Sequence, residues 1–393
     1  MYFRLQQLQQ QVAAQIKMKG YRTNIYQFSK MVSIKNCITL FFSITALQCG
    51  AQAPAGTVRL TDSVACTAVG DQGAAPVCWT FGTNSLFEAD LLRTKGLQLN
   101  LSEMYYARYA YIDKAQRFLA TQGKTYFEGG GQFHDVIRVI ERYGMVPEAA
   151  YPGKASARRQ HDHTLLDTAM QRLVKRWQRL GLTTLQPKHL RQLNDSLNKY
   201  LGKPPARFLY NGKWHTPRSF ADTYLHFAND YLELVAFADK PLYQKHVLVD
   251  RYNWANDSFY NISLADMQMV ADSALAAGWS LGWEGDVTEN GFQAIGGYAS
   301  WDTLPADVDD KRLTNYQTLA TERDHMLHLV GAGYDSLGKR WYYQKNSWGH
   351  YNRFNGYLYM DENYFLYKTV ILFVNKAALT PTMRARLRLN DSR

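Results

Sequence analysis

Cysteine is scarce in this chain: its 393 residues include four, Cys37, Cys49, Cys66 and Cys78. That excludes a disulfide-stapled scaffold, and a chain this long buries enough surface to need no staple. Long apolar runs are missing too. The run from Cys37 to Leu47 is shorter than the roughly 20 residues a membrane-spanning helix needs, so no span is expected. Clustered metal ligands are also lacking. His325 and His328 fall in a strand-like segment, where residues three apart point to opposite faces. No cysteine or carboxylate cluster accompanies them, so no metal and no cofactor are expected. The body of the chain also carries almost no net charge. Of the formal +11, residues 1–50 supply six basic residues and no acid, and residues 376–393 supply five basic residues against Asp391. A nucleic-acid binder carries its basic stripe on the folded body, so no nucleic-acid partner is expected.

What is present begins with a leader-like segment. "MVSIKNCITLFFSITALQCGAQA" (31–53) has a lysine-bearing start, an apolar stretch and small residues after it, the pattern of a secretory signal. Residues 1–30 then read as an upstream extension without a structural role. The mature protein is expected to be exported, periplasmic or extracellular, and Gln48 before Cys49 disfavours a lipid anchor there. Cleavage leaves Cys66 and Cys78. They either close one short disulfide loop or leave Cys78 free.

With 46% hydrophobic and 20% charged residues, the remainder reads as globular. Its first part is helical. A helix runs from Cys78 to a stop at Gly96, a second follows Ser102 as cap, and a glycine loop at 129–131 leads into a third. Residues 154–240 stay helical, with an apolar stripe through Leu165, Met170, Leu173 and Trp177 and a solvated Lys/Arg face. Thr216 and Pro217 make a helix start. The last third changes character. A helix between Ser263 and Gly278 is followed by the strand-like "WSLGWEGDV", and residues 325–349 read as two strands joined near Asp335–Gly338. Helices first and strands later predict an α+β fold with two lobes.

The candidate chemistry sits at Cys78. A cysteine at a helix N-terminus meets unpaired N–H groups and the positive end of the dipole, which favour thiolate and can take its pKa well below ~8.5. Such a nucleophile needs a base and an orienting group. Folding 325–346 about its turn brings His325 and Asn346 to one end of the ladder, where the Asn oxygen can set the ring's tautomer. His328 then faces away and reads as structural.

These segments carry a resemblance. "DQGAAPVCW", "DHMLHLVG" and "NSWG" resemble the three active-site segments of the papain-like cysteine peptidases, in the same order. "GGGQFHDVIRVIERYGMVPEAAYPG", "YNGKWHTPRSFADTYL" and "WSLGWEGDVTENGF" are similar to the bleomycin hydrolase / aminopeptidase C branch. The resemblance covers about residues 58–380. It implies a two-lobe papain-like fold in a domain at 54–380. A helical lobe would span about 70–152, a helical insertion about 153–240 and a β-rich lobe about 241–375, with a basic tail at 381–393. It implies Cys78 as nucleophile, His325 as base and then acid, and Asn346 as orienting group under Trp348. Gln72 and the Cys78 N–H would form an oxyanion hole. Gly130 and Gly131, with Trp79 beside the nucleophile, would hold a peptide substrate. The branch often forms hexamers and places its chain end in the cleft, which makes its members aminopeptidases. An endopeptidase and a non-catalytic peptide binder are the alternatives. Pro76, two residues before Cys78, stands where the family usually has Gly and is expected to narrow or reshape the cleft.

Overall fold

The computed structural model describes residues 52–154, 160–225 and 228–389. The leader-like segment up to residue 51 and the last four residues of the tail lie outside that range. In chain order the elements are β1 (Arg59–Ser63), α1 (Cys78–Lys95), α2 (Glu103–Ala120), α3 (Phe133–Tyr143), α4 (Thr164–Arg179), α5 (Pro187–Leu201), β2 (Phe208–Tyr210), β3 (Lys213–His215), α6 (Pro217–Tyr224), β4 (Tyr231–Val235), β5 (Gln244–Val247) and β6 (Ser258–Asn261). There follow α7 (Leu264–Ala276), β7 (Leu281–Gly285), β8 (Phe292–Gln293), β9 (Tyr298–Ala299), α8 (Val308–Gln317), β10 (His325–Tyr334), β11 (Arg340–Lys345), β12 (Tyr357–Asp361), α9 (Glu362–Lys368), β13 (Thr369–Asn375) and α10 (Pro381–Arg386).

The helix ends follow local chemistry. The Ser102 side chain accepts from the Tyr105 N–H, Thr216 from Ser219 and Ser263 from Asp266, so each satisfies a donor that the first turn leaves open. Gly96 closes α1 in the left-handed region at φ 62°. Helix α1 is not amphipathic: every residue from Trp79 to Leu91 is buried. It tolerates this because its polar side chains find partners. Glu88 takes the Leu101 N–H at 2.7 Å and Asn84 donates to the Leu101 carbonyl at 3.0 Å. On α4 the buried stripe is Leu166, Met170, Val174 and Trp177. The expected stripe is corrected at Leu165, which is exposed, and at Leu173, which is half-buried. The i, i+4 spacing from Leu166 turns that stripe by one residue.

One large sheet runs β5-β6-β4-β13-β7-β10-β11-β12-β9-β8, with β1 pairing the far half of β10. Two of its strands lie outside the expected β-rich span of 241–375. β1 precedes the helices, and β4 lies at the end of the expected helical insertion yet pairs β13 and β6. The insertion also holds the β2–β3 hairpin. β4 escapes a periodicity reading because all five of its residues are buried, and a strand covered on both faces shows no alternation.

The sheet separates two apolar cores. Along β10, Met326 and His328 face α1, where His328 Nδ1 lies 2.7 Å from Ser85 Oγ. Leu327 and Leu329 face the second core, with α7. Gly82 of α1 lies against this strand, where a Cβ would make ordinary contact 3.4 Å from that of Met326. Cys78 is the first residue of α1 and His325 the first of β10. The two elements bring their first residues to one edge of the lobe interface.

Candidate active site

A pocket at that edge is lined by Gln72, Cys78, Gly130, Gly131 and His325, with Pro76 in its wall. Trp79, Asn346 and Trp348 stand around it rather than in it. Trp79 lies under the glycine loop. Its Nε1 donates to the Gly129 carbonyl at 2.9 Å, and a Cβ on Gly131 would come within 2.7 Å of its ring. The loop is glycine because that ring leaves no room for a side chain. Pro76 lies against the same loop: a Cβ on Gly129 would meet its Cγ at 2.6 Å. It therefore shapes the glycine-loop side of the pocket.

The histidine's tautomer follows from its partners. His325 Nε2 lies 2.7 Å from Asn346 Oδ1, and the same oxygen accepts the Ser347 N–H at 2.7 Å. Asn346 Nδ2 donates to Tyr351 Oη at 3.0 Å. An amide oxygen can only accept, so Nε2 carries the proton and Nδ1 carries the lone pair. Nδ1 makes no hydrogen bond with the described residues. The Trp348 ring covers the imidazole, with centroids 4.6 Å apart and planes inclined by 33°.

Gln72 is buried, and both ends of its amide are fixed. Oε1 accepts from Ser347 Oγ at 2.7 Å, and Nε2 donates to the Ala75 carbonyl at 2.9 Å. One Nε2–H remains for another acceptor. The Cys78 N–H, at the first position of α1, is also without an acceptor among the described backbone groups. An oxygen held between these donors could carry developing negative charge.

The electrostatics differ from the helix-terminus expectation. Burial pushes the Cys78 thiol up to about 12. N–H groups of Met326 and Trp79 pull it down, and the charges of Glu284 and Asp324 add to the rise. Burial likewise lowers His325 to about 4, partly offset by the Asn346 bond. Burial thus pushes both groups toward their neutral forms, against the pull of the helix terminus. A helix start favours thiolate only where the site is wet enough not to penalise charge. Cys66 and Cys78 are both free rather than joined in a disulfide. Cys66 Sγ instead lies 3.4 Å from Tyr357 Oη.

Several residues of the site escape motif reading. Lys114 on α2 is buried under the glycine loop and donates to the Glu128 carbonyl at 3.0 Å and to that of Gly130. Trp79 holds the Gly129 carbonyl, and the peptide groups of Gly131 make no hydrogen bond with the described residues. Gly131 is thus the loop's uncommitted peptide. A lysine three residues after Tyr111 on the apolar side of α2 was the available signal. Glu284, Arg323 and Tyr252 also line the pocket. Their charges sit inside strand-like or loop segments that carry no spacing signature. Among the described residues no group of three or more His, Cys, Asp or Glu is placed to hold a metal ion. No helix among them is long and apolar enough to cross a membrane.

Comparison with known proteins agrees with this geometry. The Peptidase C1-like family matches residues 17–390. Aminopeptidase G of Lactobacillus delbrueckii subsp. lactis is 25% identical over 349 residues, covering 77% of this chain and 79% of its own. Aminopeptidase C of Streptococcus thermophilus is 25% identical over 371 residues, covering 79% and 81%. The crystal structure of PepW from Lactobacillus rhamnosis HN001 superposes with a TM-score of 0.68 at 19% identity over 84% of this chain and 85% of that one. The two-lobe α+β architecture is the papain-like one, and the chain belongs to the Peptidase C1-like family, in the aminopeptidase C branch of the papain-like cysteine peptidases.

Proposed function

We propose that this chain is an exported aminopeptidase that opens peptide bonds through a Cys78 acyl-enzyme. The observation that carries the mechanism is the His325–Asn346 contact, which leaves Nδ1 as the ring's only basic atom in the pocket that Cys78 lines. As Cys78 Sγ bonds to the scissile carbonyl carbon, the thiol proton passes to Nδ1. The carbonyl oxygen becomes an oxyanion between Gln72 Nε2 and the Cys78 N–H. Collapse breaks the C–N bond, and the imidazolium gives its proton to the leaving amine. Water, with His325 again as base, then releases the acid and restores the thiol. Gly131 offers an open peptide group to an extended substrate, and Gly130 beside it is turned away by Lys114.

Aminopeptidase specificity is supported by the named activities of the relatives. Export is supported by the pattern at 31–53. One observation favours an endopeptidase instead. Helix α10 lies with α7, through Arg386 to Asp266 at 2.8 Å, with Met383 buried, and no described tail residue lines the pocket. Mass spectrometry of products from one peptide, free and N-acetylated, tests both readings. Sequential loss of N-terminal residues from the free peptide alone is expected. Cleavage of both at internal bonds would establish the endopeptidase. No cleavage of either, with Cys78 unlabelled by iodoacetamide, would overturn the catalytic reading.

A further inference from the structure

Glu284, on β7, is 2% exposed and faces the helical lobe. It pairs directly with Met326, and opposed residues of an antiparallel ladder share a face. Its Oε2 accepts no hydrogen bond from the described residues. Arg323 Nη1 stands 3.5 Å away, but that guanidinium is already engaged: Nη1 donates to Gln132 Oε1 at 2.6 Å and Nη2 pairs with Asp250. Glu284 and Asp250 thus share one guanidinium, and Glu284 holds it at the longer distance. The pocket that holds Cys78 and Gly131 is lined by Glu128, Glu284 and Asp324 against the one cation Arg323. Burial pushes the Glu284 carboxyl up to about 8 against the pull of Arg323, and a cation arriving beside it would favour the charged form.

We propose that Glu284 receives the substrate's terminal α-ammonium and so selects for a free amino end. This rests on the aminopeptidase reading above and assigns its specificity to a side chain of the body rather than to the chain end. Tyr126 and Tyr252 line the same pocket and crowd its Gly130 side. The Tyr252 ring would lie 2.9 Å, and Tyr126 Oη 3.2 Å, from a Cβ on Gly130. In the proposed pose that aromatic side limits how far a chain held at Gly131 extends, with Glu284 in the same pocket. The ammonium also bears on the chemistry. The negative charge of Glu284 opposes ionisation of Cys78, and an ammonium beside it removes that opposition only when a correct substrate is seated.

The test compares the full-length protein with Glu284→Gln and Glu284→Asp on aminoacyl fluorogenic amides, their N-acetyl counterparts, and a blocked dipeptidyl amide with Arg in second position. Circular dichroism and thermal melting verify folding. Glu284→Gln is expected to raise KM at least tenfold on the free-amine amides and to leave or raise kcat on the acetylated ones. Glu284→Asp should fall between. An unchanged KM for free-amine amides in both folded variants overturns the inference while leaving the aminopeptidase reading intact. Selective loss of the Arg-containing amide would assign the carboxylate to a basic side chain and overturn it as well. If the unaltered protein turns over acetylated and free amides equally, the aminopeptidase reading itself fails. Should Glu284→Gln not fold, Glu284→Asp and the free-to-acetylated ratio of the unaltered protein still decide.

Discussion

Asn346→Asp tests the resting state of the proposed catalytic pair, Cys78 and His325. In the unaltered protein burial holds His325 near pKa 4, and the neutral Asn346 amide offsets only part of that. Asp keeps an acceptor 2.7 Å from Nε2 and adds a full negative charge. An opposite charge at that range favours the protonated ring by about one to three pH units. His325 must be unprotonated at Nδ1 to take the Cys78 proton. The acid limb of kcat/KM should therefore move up, from near pH 4 to about pH 5–7. The sign of the stability effect is also fixed. The unfolded ring binds a proton below its ordinary 6.5, whereas the folded ring does so only near 4. Native stability thus falls as pH drops through that window, by about 3 kcal/mol in the unaltered protein. In Asn346→Asp that loss is smaller. The assay is kcat/KM from pH 3.5 to 9 on an aminoacyl amide, with a melting curve at each pH to separate inactivation from unfolding. An acid limb that stays in place or moves down, in a folded variant, would refute the neutral-pair argument. It would place a thiolate–imidazolium pair at rest.

His325→Ala should lower kcat by about 10²–10⁴-fold with the fold intact. His328→Ala, which breaks the Ser85 contact inside the lobe interface, should instead cost about 1–3 kcal/mol of stability in a denaturant titration and leave kcat little changed. Gln72→Ala removes the proposed oxyanion donor, so kcat should fall about 10²–10³-fold in single-turnover measurements. Deleting 390–393 leaves every described tail contact in place. Deleting 381–393 also strips Met383 and Leu387, each about 2% exposed or less, and should destabilise by about 1.5–3 kcal/mol per side chain. The shorter deletion is thus the clean test of the tail. A new endopeptidase activity there would place the chain end in the cleft.

Much of the site is legible in short stretches. Cys78 opens a helix because Ala75-Pro76-Val77 precede an uninterrupted helical run. His325 and Asn346 meet because a hairpin near Asp335 joins their strands, as the Asp335–Lys339 bond bears out. His328 faces away from His325 by strand alternation alone. Each of these is a local or hairpin-scale consequence of spacing, so the sequence by itself determined it. Other features depend on segments far apart in the chain. β4 joins the sheet only because β13 and β6 flank it, and its burial on both faces erased the pattern that would have revealed it. Lys114 reaches under the glycine loop from another helix. Glu284, Arg323 and Asp250 share their charge only once β7, the start of β10 and the loop after β5 converge. The thiol's high pKa is the clearest case. The helix terminus that favours thiolate is written beside Cys78, but the burial and the distant carboxylates that outweigh it exist only in the folded protein. Desolvation and field are sums over everything nearby, and only the tertiary structure decided what is nearby.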